Sequence, residues 1–241
     1  MDGRGTEIDL EKYRNFDFAP LTMEQLEGLA RPVRDSRFGL PAGDVADLLL
    51  PGYLALENGL ARCRDGSLLV AVRHEMPRCT STMWDWWFGW HSYADERYQI
   101  WHPMDHLSAR MAEDHEDAPT NKEKYIGNTS IVDEFIGEGK RMRLGITFRE
   151  PSEVGLDPGE LAKVGTAICG TVRDLDADVL LNHIVHLVRD KPGGCEMRSR
   201  FWFPDGKEHV GRGLIAHCSE EYGHLASFLP LLYREVTGKG N

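Results

Sequence analysis

The chain has 241 residues with 41% hydrophobic and 28% charged side chains, an ordinary globular composition for one domain or one domain with a small appendage. Asp and Glu number 39 against 28 Lys and Arg, for a net charge of −11, so a nucleic-acid backbone or an anionic membrane surface would repel it. No apolar run approaches the ~18 residues of a membrane span, the start MDGRGTEIDL lacks a signal-type hydrophobic stretch, and five cysteines without a C-x-x-C pair fit reduced thiols in a cytoplasm.

Residues 1–50 read as a mostly helical arm. Thr22 and Gln25 form the pattern of a capping box opening the helix MEQLEGLA, and a second short helix, GDVADLLLP, ends before Pro51. The main domain is expected over 51–241. It starts with a hairpin over 53–76, turning at Asp65-Gly66. An aromatic cluster follows from Trp84 to Trp101, then an acidic surface loop near 112–124. From 129 to 203 the pattern is of long antiparallel strands joined by tight turns, at 137–140 and 191–194. Helical period then returns over 214–237, with Pro230 predicting a kink or junction. A multistranded antiparallel sheet followed by one long helix is an α+β helix-grip layout, with a cavity between sheet and helix.

His217 and Glu221 are one helical turn apart, and side chains so spaced can reach one cation. His224 continues the stripe. An isolated pair of this kind also fits surface polar residues beside a core face. His102 and His106 in WHPMDH are further candidate ligands, or members of a solvated turn. In IVDEFIG, strand alternation puts Val132, Glu134 and Ile136 on one face and Asp133 on the other. The pattern leaves open which carboxylate points inward. His183 and His186 must face opposite sides of their strand. Together these give two His and two Glu on separate elements, the composition of a site for zinc or another divalent ion with N and O ligands.

The segments MWDWWFGWH, RYQIWHPMDH, VDEFIG, GGCEMRSRFWF and HCSEEYGHLASFLPLLY resemble the 2,4-diacetylphloroglucinol hydrolase and phloretin hydrolase family, over about residues 75–235. That resemblance implies a Bet v 1-like helix-grip domain that removes an acyl group from a polyphenol ring with a divalent metal, usually zinc. It implies metal ligands at His102, Glu134, His217 and Glu221, a substrate-side histidine at His186 and a homodimer involving the N-terminal part. A family tyrosine aligns with Phe201, so one hydroxyl is missing and Tyr93 or Tyr98 would supply another. Asp105 stands at a polar position near the substrate. The aromatic segment with Trp90, and the sheet face with Phe201 and Trp202, are expected to form the slot for a flat ring.

Two rival readings are a non-catalytic helix-grip carrier of an apolar aromatic molecule and a non-haem Fe(II) oxygenase. A carrier has no need of two His and two Glu aimed at one point, and the oxygenase site has one carboxylate rather than two.

Overall fold

The computed structural model describes residues 8–136 and 139–239. The first seven residues of the arm and two of the 137–140 turn lie outside them. Eight strands form one sheet: β1 (Gly59–Arg62), β2 (Leu68–Pro77), β3 (His106–Met111), β4 (Thr129–Phe135), β5 (Arg141–Arg149), β6 (Gly165–Asp174), β7 (Val179–Lys191) and β8 (Gly194–Phe203). Their order is β1-β2-β8-β7-β6-β5-β4-β3, and every neighbouring pair is antiparallel. One helix, Glu208–Thr237, packs against the inner face. The protein is an α+β helix-grip fold.

The predicted elements form with shifts at their ends. Thr22 and Gln25 make the reciprocal capping box of the helix Met23–Ala30, while GDVADLLLP becomes a 3-10 helix, Ala42–Leu49. The terminal helix begins at Glu208, six residues before the apolar periodicity. It passes through Pro230 without a break. Pro230 and its neighbours Leu229 and Leu232 are buried, so packing offsets the backbone hydrogen bond that proline cannot make. β3, absent from the sequence reading, extends the sheet directly after WHPMD.

Two cores flank the sheet. The inner one joins Val70, Val72, Ile184 and Phe201 to Leu225, Phe228 and Leu229 of the helix. The outer one lies between the sheet and residues 38–56 with the helix Pro158–Val164. Strand alternation sorts β8 between them: Phe201 faces the inner core and Trp202 the outer one, where its Nε1 donates to the Leu40 carbonyl at 2.6 Å. Trp202 therefore takes no part in the expected ring slot. Arg198 and Arg200 also face outward, and both bind Glu57. Burial alone would raise the Glu57 carboxyl, but the two guanidiniums hold it down at about 2.

Residues 8–50 are continuous with this packing. Tyr13 is fully buried, lies against Phe228 and donates to Glu235 at 2.7 Å. Val45 and Leu48 seal the outer core. Residues 8–50 thus pack on the cores of the rest of the chain.

Candidate active site

A cavity of about 490 Å³ lies between the sheet and the terminal helix. Phe88, Leu144, Phe148, Ile184, Phe201 and Leu214 give it an apolar lining. Glu134, His217 and Glu221 line one wall, and His106, which is not itself a lining residue, meets the two carboxylates there. His106 Nε2 is 3.5 Å from Glu134 Oε2 and 3.5 Å from Glu221 Oε2. His217 Nε2 is 3.9 Å from Glu134 Oε2 and 3.7 Å from Glu221 Oε2.

Local structure explains each placement. On β4, Ser130, Val132 and Glu134 share the buried face, while Asp133 points outward to Arg141 and Ser108. His106 pairs with Glu134 at the start of β3, where a bulge shifts the register before Ser108. Such a bulge re-aims the side chain beside it. His217 and Glu221 are stacked one turn apart on the helix, which Trp101 anchors by donating from Nε1 to the Glu221 carbonyl.

Hydrogen bonding decides which imidazole nitrogens are free. His106 Nδ1 lies 3.1 Å from the Tyr98 carbonyl, which can only accept, so the proton is on Nδ1 and Nε2 keeps its lone pair. That Nε2 is buried and has no hydrogen-bond partner among the described residues. His217 donates from Nδ1 to Asp105 Oδ2 at 3.0 Å, which turns Nε2 toward Glu134 and Glu221. His102 is the opposite case. Its Nδ1 accepts from the Asp105 backbone N–H at 3.1 Å, so the neutral ring carries its proton on Nε2. That nitrogen faces Asp105 Oδ2 at 3.6 Å and Glu220 Oε2 at 3.5 Å, not Glu134 or Glu221. Atoms of His102, Asp105 and His217 lie within 4.8 Å of one another, as do those of His106, Glu134 and His217, and His102 Nε2 is likewise buried with no hydrogen-bond partner among the described residues. The geometry therefore puts His106, rather than the expected His102, beside Glu134, His217 and Glu221.

The electrostatics fit a cation. Burial drives the Glu221 carboxyl up to about 8, opposed by His217 and reinforced by Glu134. It also raises Glu134. Burial, with the neighbouring His217 and His102, pushes His106 well below the usual imidazole range. His217 is held up at about 9, because Asp105, Glu221 and Glu134 outweigh its burial. Glu221 and His217 thus hold protons in the ion-free cluster, and a divalent ion displacing them would meet two carboxylates and two imidazole nitrogens, a donor set it would balance in charge. The buried Nε2 atoms of His106 and His102, neither with a hydrogen-bond partner among the described residues, favour this, and that of His106 lies 3.5 Å from both carboxylates.

Among the other candidates, Tyr98 donates to Glu134 and stacks on the His106 ring at 3.9 Å. His186 faces the cavity from β7, its Nδ1 2.8 Å from Ser199 Oγ and 3.2 Å from the Tyr222 hydroxyl, while His183 is exposed on the other face. Burial lowers His186 to about 3, which keeps the ring neutral. Phe201 lines the cavity, edge-on to His186 at 5.5 Å. Tyr93 and Trp90 are not brought to it: the Tyr93 hydroxyl donates to the Lys124 carbonyl at 2.8 Å, and Trp90 stacks on Trp86 with Arg97 over its ring. Their turn reaches the cavity through its neighbours His91 and Ser92 instead. His224 is also apart, stacked on Phe18 and bonded to the Trp101 carbonyl. Sequence reasoning missed Asn182 and Tyr222, whose one available signal was their position on inward faces beside His186 and Glu221.

These features define a helix-grip protein with an apolar cavity and an N/O donor cluster in its wall. The chain belongs to the family described as DAPG hydrolase PhiG domain, which matches residues 40–208. It is 30% identical over 223 residues to 2,4-diacetylphloroglucinol hydrolase of a Pseudomonas species, covering 80% of this chain and 76% of that one. It is 31% identical over 253 residues to phloretin hydrolase of Eubacterium ramulus, covering 93% and 89%. Among solved structures, Ara h 8.0201 matches with a TM-score of 0.44 and 10% identity, covering 67% of this chain and 97% of that chain. Among the described residues no helix is long and apolar enough to cross a membrane.

Proposed function

We propose that the protein is a zinc-dependent hydrolase that cleaves the carbon–carbon bond between an acyl group and a phloroglucinol-type ring. The observation that carries this reading is the convergence of His106, Glu134, His217 and Glu221 on one point in the wall of an apolar cavity. The two hydrolases named above support the substrate class. These four residues would hold the ion, which when bound would polarise the acyl oxygen and acidify a water.

The ring enters the apolar cavity beside Phe201. His186, neutral at physiological pH, accepts the proton of a ring hydroxyl at Nε2 and returns it to the ring carbon that bears the acyl group. The ring is then a dienone. Water adds its oxygen to the acyl carbon, and a carboxylate of the cluster takes the released proton. As the bond between acyl carbon and ring breaks, its electron pair returns to the ring as a phenolate. That phenolate recovers the proton, leaving a phenol and a carboxylic acid. Tyr98 holds Glu134 in place, and Ser199 with Tyr222 orients His186.

A homodimer and a cytoplasmic setting belong to the same reading. Met23 and Leu26 are exposed on the helix Met23–Ala30 and offer an apolar face to a second copy. Sedimentation should give the mass of two chains.

The deciding experiment is metal analysis of purified protein with an ultraviolet assay on phloretin and diacetylphloroglucinol. About one zinc per chain and chelator-sensitive hydrolysis are expected. Full activity without metal, or binding of both compounds without turnover, would replace this reading, the latter with the carrier.

A further inference from the structure

β7 runs from the cavity rim at Val179 inward to His186. Asn182 and His186 are four residues apart and face the same side, separated by roughly 13 Å of strand. The β6–β7 register shifts between Val172 and Arg173, opposite Asn182 and Leu180. This irregularity lets Leu180, Leu181 and Asn182 all line the cavity.

Asn182 is 5% exposed, and its Oδ1 is buried with no hydrogen-bond partner among the described residues. Its cross-strand partner Val172 and its same-face neighbour Ile184 are apolar. A buried carboxamide oxygen left unpaired in such a wall opposes folding unless something satisfies it. No chemistry near His106 or His186 uses Asn182, which lies between them and the rim.

We propose that Asn182 reads a hydroxyl at the far end of the substrate's acyl arm. The chain then selects acylphloroglucinols whose arm is long and ends in a hydroxyaryl group over those with a short alkanoyl arm. This rests on the proposed reading, which seats the ring at His186 and the carbonyl at the donor cluster. An acetyl group ends at its methyl. Two methylenes and a ring carry a phenol group outward along β7 toward Asn182. A site built to bond a substrate hydroxyl discriminates strongly against the analogue lacking it, because its own polar group is then left unpaired.

The test compares kcat/KM for phloretin and for the analogue without the hydroxyl on its arm, in metal-loaded wild type, Asn182→Leu, Asn182→Ala and Ser130→Ala. Wild type should prefer phloretin by tenfold or more. In both Asn182 variants the ratio should fall close to one, and Ser130→Ala should keep the wild-type preference. A wild-type ratio near one, a ratio unchanged in both Asn182 variants, or a ratio lost in Ser130→Ala would overturn the assignment. Equilibrium binding of the same two compounds, followed by tryptophan fluorescence, separates this inference from the reaction. If neither compound is hydrolysed, the proposed function fails, yet a hydroxyl-dependent Kd difference that vanishes in Asn182→Leu still supports Asn182.

Discussion

Asp105 Oδ2 accepts a hydrogen bond from His217 Nδ1 at 3.0 Å, so a residue of the loop before β3 sets which nitrogen of a helix histidine faces Glu134 and Glu221. Carboxylates in this position orient a metal-binding imidazole and raise its basicity. Asp105→Ala should therefore weaken zinc affinity by about 10- to 100-fold. Competition with a chromophoric chelator measures this, and an unchanged affinity would show that Asp105 does not act through His217.

The neighbouring histidines should separate cleanly. His106→Ala removes the buried, unpartnered Nε2 between two carboxylates and should purify with little zinc. His102→Ala should retain close to the wild-type amount, because its neutral ring presents N–H rather than a lone pair. Metal analysis of the two proteins checks the pair. The reverse result would restore His102 as the ligand.

His186 should affect rate and not metal. His186→Gln preserves much of the side-chain volume but cannot shuttle a proton. Turnover should fall by roughly 10²–10⁴-fold, the range for a positioned acid or base, with zinc content near wild type. Stopped assays together with metal analysis test this. Loss of zinc would place His186 among the ligands, and an unchanged rate would make it an ordinary core histidine.

Stability should fall on mild acidification. Burial lowers His74 from 6.5 to about 4, and Gln25 Nε2 lies 2.9 Å from its Nδ1. Between those values the unfolded chain binds the proton and the folded one does not. Protonation therefore favours unfolding, and the stability present above about pH 6.5 declines down to about pH 4, by up to about 1.4 kcal/mol per pH unit. Urea unfolding across that interval should show a shallower decline in His74→Gln. An identical pH dependence in the variant would remove His74 from the explanation.

Local periodicity made much of this legible in the sequence. The order of strands and terminal helix, the Thr22–Gln25 capping box and the one-turn spacing of His217 and Glu221 follow from alternation and helical repeat, which depend on near neighbours alone. Three choices lay beyond it. Glu134 rather than Asp133 faces inward because the pleat of β4 is anchored by its pairing with β3 and β5. Alternation alone parts Phe201 from Trp202, but that Trp202 is the one kept from the cavity follows from residues 38–56, which make the sheet's outer face a second core. His106 stands at the donor cluster in place of His102 because a bulge aims it there, and because the Tyr98 carbonyl and the Asp105 N–H leave lone pairs on different ring nitrogens. Both histidines have the same residue type and sit four positions apart. Their difference lies in hydrogen bonds that exist only once the loop has folded onto β4 and the helix.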